Sequence, residues 1–228
     1  LIMYLRQVKV GPYENFNYLL GPDGEGLSAV IDPAFEVDRL ISLAAEDGRH
    51  IIKIFLTHTH PDHVEGLAEM TLKTGAEIYV HPLEKDQTLD ALRGVDDPVV
   101  HTVEDGDIVM VGSLQGRVIH TPGHTPGGVC YLFEDKLITG DTLFVNGCGR
   151  CDLPGGDPRA LYNSLYNKVF RLPEETRFYC GHDYGDIPVS TLKRERERNP
   201  YLRWKSVEEF VQYRMVDYLK DKMRLTSP

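Results

Sequence analysis

Residues 51–63 read Ile-Ile-Lys-Ile-Phe-Leu-Thr-His-Thr-His-Pro-Asp-His, an apolar run that leads directly into imidazole and carboxylate side chains. The apolar half has the length and the β-branched content of a buried strand. Alternate side chains of an extended segment share a face, so the first two histidines can point together. A turn at the proline would bring the aspartate and the last histidine to a neighbouring position. Four possible metal ligands therefore follow one strand: His58, His60, Asp62 and His63.

The residue types in this cluster indicate a metal site. A single histidine is usually a core or solvated residue, but the pattern His-x-His-x-Asp-His directly after an apolar strand is too specific for that interpretation. Imidazole nitrogen and carboxylate oxygen are common ligands of zinc, and iron and manganese use them equally. The sequence therefore predicts one or two zinc ions, with iron or manganese as alternatives.

Three further strands end in a possible ligand. One precedes a tight turn that carries His124, another is followed by Gly140 and Asp141, and a third leads through a glycine to His182. An aspartate after a glycine is commonly a turn residue, but a carboxylate at the end of a strand could bridge two ions. The remaining histidines are predicted to be core or surface residues and not ligands: His50, His81, His101 and His120.

The pattern around these motifs predicts an α/β protein. Strands are predicted over 4–10, 16–20, 28–31, 51–56, 77–80, 108–111, 117–120, 128–134, 136–138 and 177–180. Helices are predicted over 37–47, 64–74, 86–92 and 158–170, the last with Asp157 as its N-cap. Two runs of strands with accompanying helices favour an αββα sandwich, in which two mixed β-sheets are flanked by helices. We expect a single domain over 1–228 with a short helical tail from about residue 189.

Composition narrows the possible partners. The formal charge of −10 argues against nucleic acid and favours a small metabolite. No apolar stretch approaches the roughly 20 residues that span a bilayer, and 1–10 do not resemble a signal peptide.

Four unevenly spaced cysteines fit a reducing cytoplasm. Cys148 and Cys151 form a Cys-x-x-Cys pair, for which a zinc knuckle or a redox pair is the less favoured interpretation.

Taken together, the motifs resemble the metallo-β-lactamase superfamily over nearly the whole chain. They comprise His58-x-His60-x-Asp62-His63, Pro-Gly-His124-Thr-Pro-Gly, Thr-Gly-Asp141-Thr and Cys-Gly-His182. The resemblance implies that one metal is bound by His58, His60 and His124, that a second is bound by Asp62, His63 and His182, and that Asp141 lies between them.

Two branches of this superfamily resemble the chain. Residues 140–150 and 179–182 are similar to glyoxalase II, which hydrolyses glutathione thioesters. The segment from His182 to 200 and the short C-terminus are similar to the persulfide dioxygenases, which use one iron. By this resemblance, Arg150 and Tyr184 are expected to contact a glutathione-type substrate, although Arg150 could equally form a surface ion pair.

The favoured prediction is a metal-dependent hydrolase of a glutathione-type thioester. A bound metal would lower the pKa of water to about 7, and Asp62 would accept a hydrogen bond from that water. The alternative is an iron(II) persulfide dioxygenase that uses His58, His124 and Asp141, and a non-catalytic metal-binding domain is a minor third. The apolar face of 207–223 either packs on the body, which is favoured, or forms a homodimer.

Overall fold

The computed structural model describes residues 3–218, and the first part of this range forms a six-stranded mixed sheet. The strands are β1 (Met3–Val10), β2 (Asn15–Pro22), β3 (Leu27–Ile31), β4 (His50–Phe55), β5 (Glu77–Val80) and β6 (Val100–Thr102), and they lie in chain order. The pairs from β1 to β3 are antiparallel, and those from β3 to β6 are parallel. The carboxyl ends of β3, β4 and β5 therefore meet at one edge.

A second six-stranded mixed sheet follows. It contains β7 (Ile108–Val111), β8 (Leu114–His120), β9 (Val129–Phe133), β10 (Lys136–Gly140), β13 (Arg177–Cys180) and β14 (Ser190–Thr191), in the order β14-β13-β10-β9-β8-β7. Only the pair of β10 and β13 is parallel. A short hairpin of β11 (Leu143–Phe144) and β12 (Gly147–Cys148) lies outside both sheets.

Helices cover the outer faces of the two sheets. They are α1 (Val37–Glu46), α2 (Pro61–Val64), α3 (Leu67–Thr74), α4 (Lys85–Ala91), α5 (Pro158–Asn167), α6 (Leu192–Arg198) and α7 (Val207–Gln212). One apolar cluster joins β4 to α1 and α3 through Ile54, Leu40 and Met70. The larger cluster joins the two sheets and includes Phe55 and Phe133, which lie 6.1 Å apart. Successive side chains of β4 point to opposite faces of the sheet and so enter the two clusters in turn. The two sheets with helices on their outer faces confirm the predicted αββα sandwich.

Several predicted boundaries were wrong. The helix predicted over 64–74 is split into α2 and α3 at Gly66, because the Gly66 N–H donates to Pro33 O at 3.0 Å and a Cβ at this position would collide with that oxygen. The helix predicted over 158–170 ends at Asn167 and is followed by a 3-10 turn at Val169–Arg171. Its predicted cap is correct, since the Asp157 side chain accepts from two backbone N–H groups.

The tail is less uniformly helical than predicted. From residue 189 it contains β14, α6, a 3-10 turn at Pro200–Leu202, α7 and a π-helical turn at Tyr213–Asp217. Phe210 is fully buried in the main core, so the described part of the tail packs on the body, as favoured. Residues 219–223 of the predicted helix lie outside the described range. The single domain over 1–228 and the homodimer stay predictions.

Within residues 3–218, no helix is both long and apolar enough to cross a membrane.

Candidate metal centre

The first predicted ligands lie at the carboxyl end of β4. The strand ends at Phe55, and an irregular loop carries His58 to the edge of the sheet. His60 is the N-cap of α2, and Pro61 is the first helical residue. We predicted a turn at Pro61, but the structure has a one-turn helix there, because the fixed φ of proline suits the first position of a helix. Asp62 and the following histidine thus project from helical backbone.

The second sheet brings two more residues to the same place. Since β10 and β13 are parallel neighbours, their carboxyl ends meet. Asp141 directly follows β10, and His182 follows β13 after Gly181. The Gly181 N–H donates to Gly140 O at 2.8 Å, and a Cβ on Gly181 would collide with the Asp141 carboxylate. Glycine is therefore required for this approach.

His124 arrives on the loop between β8 and β9. The loop is closed by a hydrogen bond from the Thr121 N–H to Gly128 O at 2.8 Å. Gly123 has a φ of +143°, and a Cβ there would overlap the backbone of Leu161 in α5. The loop is thus packed tightly between the second sheet and a helix, which fixes the position of His124.

The seven predicted ligands lie in one cluster. Six of them form two groups of three, and the donor atoms of each group lie within 4.8 Å of one another. The first group comprises His58, His60 and His124, and the second group comprises Asp62, His63 and His182. Asp141 lies between them: its Oδ2 is 3.4 Å from Nε2 of both His124 and His182, and its Oδ1 is 3.4 Å from His63 Nε2. The role of these residues as ligands stays a prediction.

Backbone carbonyls orient two of the rings. His124 Nδ1 lies 2.8 Å from Arg150 O, and His182 Nδ1 lies 2.8 Å from Tyr13 O. A carbonyl only accepts, so each Nδ1 carries a proton, and Nε2 is the nitrogen that presents a lone pair to the cluster whenever the ring is neutral. In metal sites, a hydrogen bond of this kind from the other ring nitrogen fixes the tautomer and the orientation of a ligating histidine.

Asp32 orients a third ring, and sequence reasoning missed it. This buried carboxylate lies 3.1 Å from His63 Nδ1 and accepts from both Thr57 N (2.7 Å) and Thr57 Oγ1 (2.6 Å). Asp32 has a φ of +49°, a left-handed conformation that aspartate tolerates better than most residues. In the sequence, Asp32-Pro33 directly follows the strand predicted over 28–31 and is typical of a strand end, and no local signal points to this contact.

Glu84 is a second residue that the sequence did not single out. Its buried carboxylate accepts from the N–H and the hydroxyl of Thr59, which lies between two predicted ligands, and from the N–H of Gly127 at 3.0 Å in the His124 loop. Glu84 therefore ties together the two loops that carry the first group.

Orphaned polar atoms test whether the cluster suits a cation. Among the described residues, Nε2 of His58, Nε2 of His124 and Oδ1 of Asp141 are buried without a hydrogen-bond partner. Buried polar atoms are rarely left unsatisfied, and all three are electron-pair donors directed into the cluster. Nitrogen and oxygen donors of this kind fit zinc, iron or manganese.

The two groups differ in charge. Burial lowers the pKa of all three histidines of the first group, that of His60 to about 4. Burial also acts to lower the pKa of His182, but contacts with Asp141 and Asp62 outweigh it and raise the pKa to about 9. The pKa of His63 is raised above its usual value because carboxylates, chiefly Asp141, outweigh burial. The first group is therefore neutral at pH 7, which is the form that binds a metal.

A cavity of about 840 Å³, referred to below as the site cavity, opens onto the cluster and is lined by His60, Asp62, His124, Asp141 and His182. Arg150 and Tyr184, the predicted substrate contacts, also line it. Arg150 is bidentate to Asp152 at 2.7 and 2.8 Å with 55% of its side chain exposed. Tyr184 stacks on His182 with ring centroids 4.6 Å apart. Their role in binding stays a prediction.

Among the described residues, neither the remaining histidines nor the cysteines belong to a possible metal-binding group. His81 stacks on His120 with ring centroids 4.1 Å apart, and His101 packs against Tyr79. Cys148 and Cys151 are buried free thiols, and burial raises the pKa of the Cys151 thiol to about 12. No cysteine belongs to a possible metal-binding group within residues 3–218. The alternative of a zinc knuckle thus finds no support in the described structure.

Comparison with known proteins gives relatives that include a persulfide dioxygenase and a glutathione thioester hydrolase. Human mitochondrial persulfide dioxygenase ETHE1 is 36% identical over 200 residues, which cover 86% of this chain and 74% of that protein. Hydroxyacylglutathione hydrolase of Pelagibacter ubique is 37% identical over 175 residues, which cover 75% of this chain and 67% of that protein. The crystal structure of ETHE1 from Myxococcus xanthus matches with a TM-score of 0.82 at 33% identity, covering 99% of this chain and 92% of that one.

The family model for the metallo-beta-lactamase superfamily matches residues 10–182, a range that contains every predicted metal ligand. The family model and the structural match both agree with the αββα sandwich. The chain belongs to the metallo-β-lactamase superfamily.

Proposed function

We propose that this protein is a metal-dependent hydrolase that cleaves a glutathione-type thioester. The observation that carries the proposal is the position of Asp141, whose carboxylate lies within 3.4 Å of ring nitrogens from both donor groups. Such an arrangement suits two ions that share one carboxylate. When bound, the metal would polarise the thioester carbonyl and lower the pKa of water at the site.

The residues of the chain supply orientation and proton acceptance. Asp62 is only partly buried, and its Oδ2 accepts from Asn15 Nδ2 at 3.1 Å and lies 3.3 Å from His182 Nε2. Although burial alone would raise the pKa of Asp62, these contacts and His63 lower it, so the carboxylate stays ionised. In the proposed reaction, Asp62 accepts a hydrogen bond and then the proton from water while the water oxygen bonds to the carbonyl carbon. The C–S bond then breaks, its electron pair leaves with the sulfur as a thiolate, the acyl group leaves as a carboxylic acid, and Asp62 returns its proton to solvent.

The site cavity supports catalysis over a purely structural role. A structural zinc site is closed, whereas a catalytic site keeps a position open for substrate. Here five of the seven predicted ligands line a cavity of about 840 Å³. We place Arg150 and Tyr184 at the part of that cavity that the thiol portion of the substrate occupies.

A persulfide dioxygenase is the second candidate. It is favoured by the similarity to Myxococcus xanthus ETHE1, which covers 99% of this chain and so includes the tail. In that case His58, His124 and Asp141 would hold one iron(II) as two histidines and one carboxylate, and the second group would remain a hydrogen-bonded network.

Substrate assays on the purified protein, with its metal content measured in parallel, separate the two candidates. Release of thiol from S-lactoylglutathione without oxygen uptake supports the hydrolase. Oxygen uptake on glutathione persulfide by a protein that holds about one iron, with no thiol release from the thioester, contradicts it and favours the dioxygenase.

A further inference from the structure

The short hairpin of β11 and β12, referred to below as the cavity hairpin (143–148), forms part of the wall of the site cavity. Five consecutive residues of this hairpin, 144–148, line the cavity. The hairpin is held together by only two residue pairs, and it joins neither of the large sheets. Since a two-stranded hairpin is only marginally stable by itself, its shape depends on contacts with other parts of the chain.

Two fully buried side chains of the tail supply such contacts. Glu195 in α6 accepts a hydrogen bond from the Asn146 N–H at 2.7 Å. Asn199, which directly follows α6, donates through Nδ2 to Gly147 O at 3.0 Å and to Phe144 O at 3.4 Å. The same Nδ2 donates to the Glu195 carboxylate at 3.0 Å, so the two side chains form one connected pair. Neither of them lines the site cavity.

The carboxylate of Glu195 has no part in the donor cluster, although it is 0% exposed. Besides its bonds with Asn146 and Asn199, it accepts from Ser190 Oγ at 2.7 Å and from Arg194 Nη1 at 2.9 Å. A buried ion pair adds little net stability, because loss of hydration offsets the attraction. A fully satisfied polar network does, however, specify one geometry, and here that network includes the backbone of the hairpin turn.

The cavity hairpin in turn contacts the second donor group. The Phe144 ring lies edge-on to His182 and to Tyr184, with ring centroids 5.9 Å and 5.6 Å apart, and these two rings stack on each other. Both arrangements are favourable for aromatic rings. Val145 packs so closely on Gly185 that a Cβ on this glycine would lie 2.5 Å from Val145 Cβ. A shift of the hairpin would therefore displace the ring of a predicted metal ligand.

We propose that Glu195 and Asn199 are positioning residues for the reaction: they fix the cavity hairpin, and the hairpin fixes the His182 ring through Phe144. The inference rests on the proposed function for the reaction itself. It adds a route by which the tail, whose described part contributes no residue to the two donor groups, determines the geometry of the second group.

Asn199→Ser separates this role from the capping of the chain after α6. Asn199 Oδ1 accepts from the Tyr201 N–H at 3.0 Å as the N-cap of a 3-10 turn. Serine is an equally good N-cap, but its side chain is too short to reach the carbonyls of the hairpin. The variant therefore keeps the cap and removes the contact with the hairpin.

NMR spectroscopy of the zinc-loaded chain tests the inference without relying on turnover. In Asn199→Ser we expect the signals of the His182 ring to shift, because the neighbouring aromatic rings move, while those of the His124 ring stay in place. The Asn146 amide should exchange with solvent about 10-fold faster, because fewer hydrogen bonds oppose local opening. Unmoved His182 signals, or equal shifts at both histidines, would overturn the inference.

Two substitutions of Glu195 test its hydrogen bond to the hairpin. Glu195→Ala removes the acceptor of the Asn146 N–H and should shift the His182 signals. Glu195→Gln keeps one oxygen for this N–H, and its amide can donate to the Ser190 hydroxyl, so the His182 signals should stay close to those of the unaltered protein. Equal shifts in both variants would contradict the role of this hydrogen bond. If Glu195→Ala does not fold, Asn199→Ser carries the test.

Ser206→Ala is a control for general loosening of the tail. The Ser206 side chain accepts from the Glu209 N–H at 3.2 Å in the capping box of α7, and it does not line the site cavity. Loss of this cap should lower the melting temperature and leave the His182 signals and the kinetic constants unchanged. If Ser206→Ala shifts these signals as much as Asn199→Ser does, reduced stability and not the hairpin contact explains the effect.

Kinetics separate this inference from the proposed function. In Asn199→Ser we expect kcat with S-lactoylglutathione to fall about 10-fold to 100-fold, as for loss of a contact that orients a ligand, with a smaller change in KM. Unchanged kcat despite shifted His182 signals would overturn a role in the reaction. If the unaltered protein does not cleave the thioester, the proposed function fails, while the NMR comparison still decides whether the tail positions the second donor group.

Discussion

The two donor groups of the metal centre are held in different ways. In the first group, Nε2 of His58 and of His124 is buried and finds no hydrogen-bond partner among the described residues. In the second group, His63 Nε2 lies 3.2 Å from His182 Nε2, and the other ring nitrogen of His63, Nδ1, lies 3.1 Å from the Asp32 carboxylate. The protein therefore satisfies the second group partly by itself, whereas the first group depends on a cation. We infer that the first group binds metal more tightly.

The largest effect is expected from Asp141→Ala, because this carboxylate touches both groups. We expect the substitution to abolish thiol release and to reduce the metal content at both positions. Elemental analysis and the thioester assay on the same preparation provide the test. An unchanged rate in this variant would remove the basis for a shared carboxylate.

Substitution of one histidine from each group tests the comparison directly. His124→Gln should remove the tightly held metal, while His182→Gln should leave about one ion bound, because the first group remains intact. As a hydrolase, the protein should lose most of its activity in both variants. Retention of full activity by His182→Gln, with one ion bound, would instead indicate that only the first group is needed.

Asp32→Asn should act mainly on the second group, because Asp32 contacts His63 directly and His58 only through the Thr57 hydroxyl. The amide cannot replace the charge that faces His63 Nδ1, and loss of such a partner typically lowers metal affinity about 10-fold to 100-fold. Titration with a competing chelator measures this as selective weakening of one of two ions. Equal weakening of both would show that Asp32 supports the centre as a whole.

Glu84→Gln should act on the first group. The carboxylate accepts from Thr59 and Gly127, and an amide presents an N–H where an acceptor is needed. Leaving a buried donor unsatisfied costs about 1–3 kcal/mol, so thermal unfolding should occur at a lower temperature. An unchanged melting temperature together with unchanged chelator resistance would argue against this role.

The smallest effect concerns the cysteines, which lie outside both groups. All four are buried, and burial raises the pKa of Cys130 to about 11 and of Cys180 to about 12. Iodoacetamide should therefore modify the folded protein very slowly at pH 8 and all four thiols after unfolding. Rapid modification of the folded protein would be evidence for an accessible, reactive cysteine.

The sequence was sufficient to predict the donor cluster because the donors lie in short segments that follow strands, and two of these strands are parallel neighbours whose carboxyl ends meet. Asp141 and His182 illustrate this, since β10 and β13 pair in parallel. The supporting residues could not be found in this way. Asp32 contacts Thr57, 25 residues later, and Glu84 contacts Gly127, 43 residues later, so neither contact leaves a local pattern.

In the tail, too, pairing between distant residues determines a local structure that the sequence pattern did not predict. The charged composition of the tail predicts helix from about residue 189, but residues 190–191 form β14, which pairs with β13.

Titration of the apoprotein with Zn²⁺, with thiol release from S-lactoylglutathione measured at each step, tests the central claim most directly. The account predicts little activity up to one equivalent, as the first group fills, and a rise that saturates at two equivalents. Full activity at one equivalent, or no activity with zinc and oxygen uptake on glutathione persulfide after one equivalent of iron(II), would contradict it.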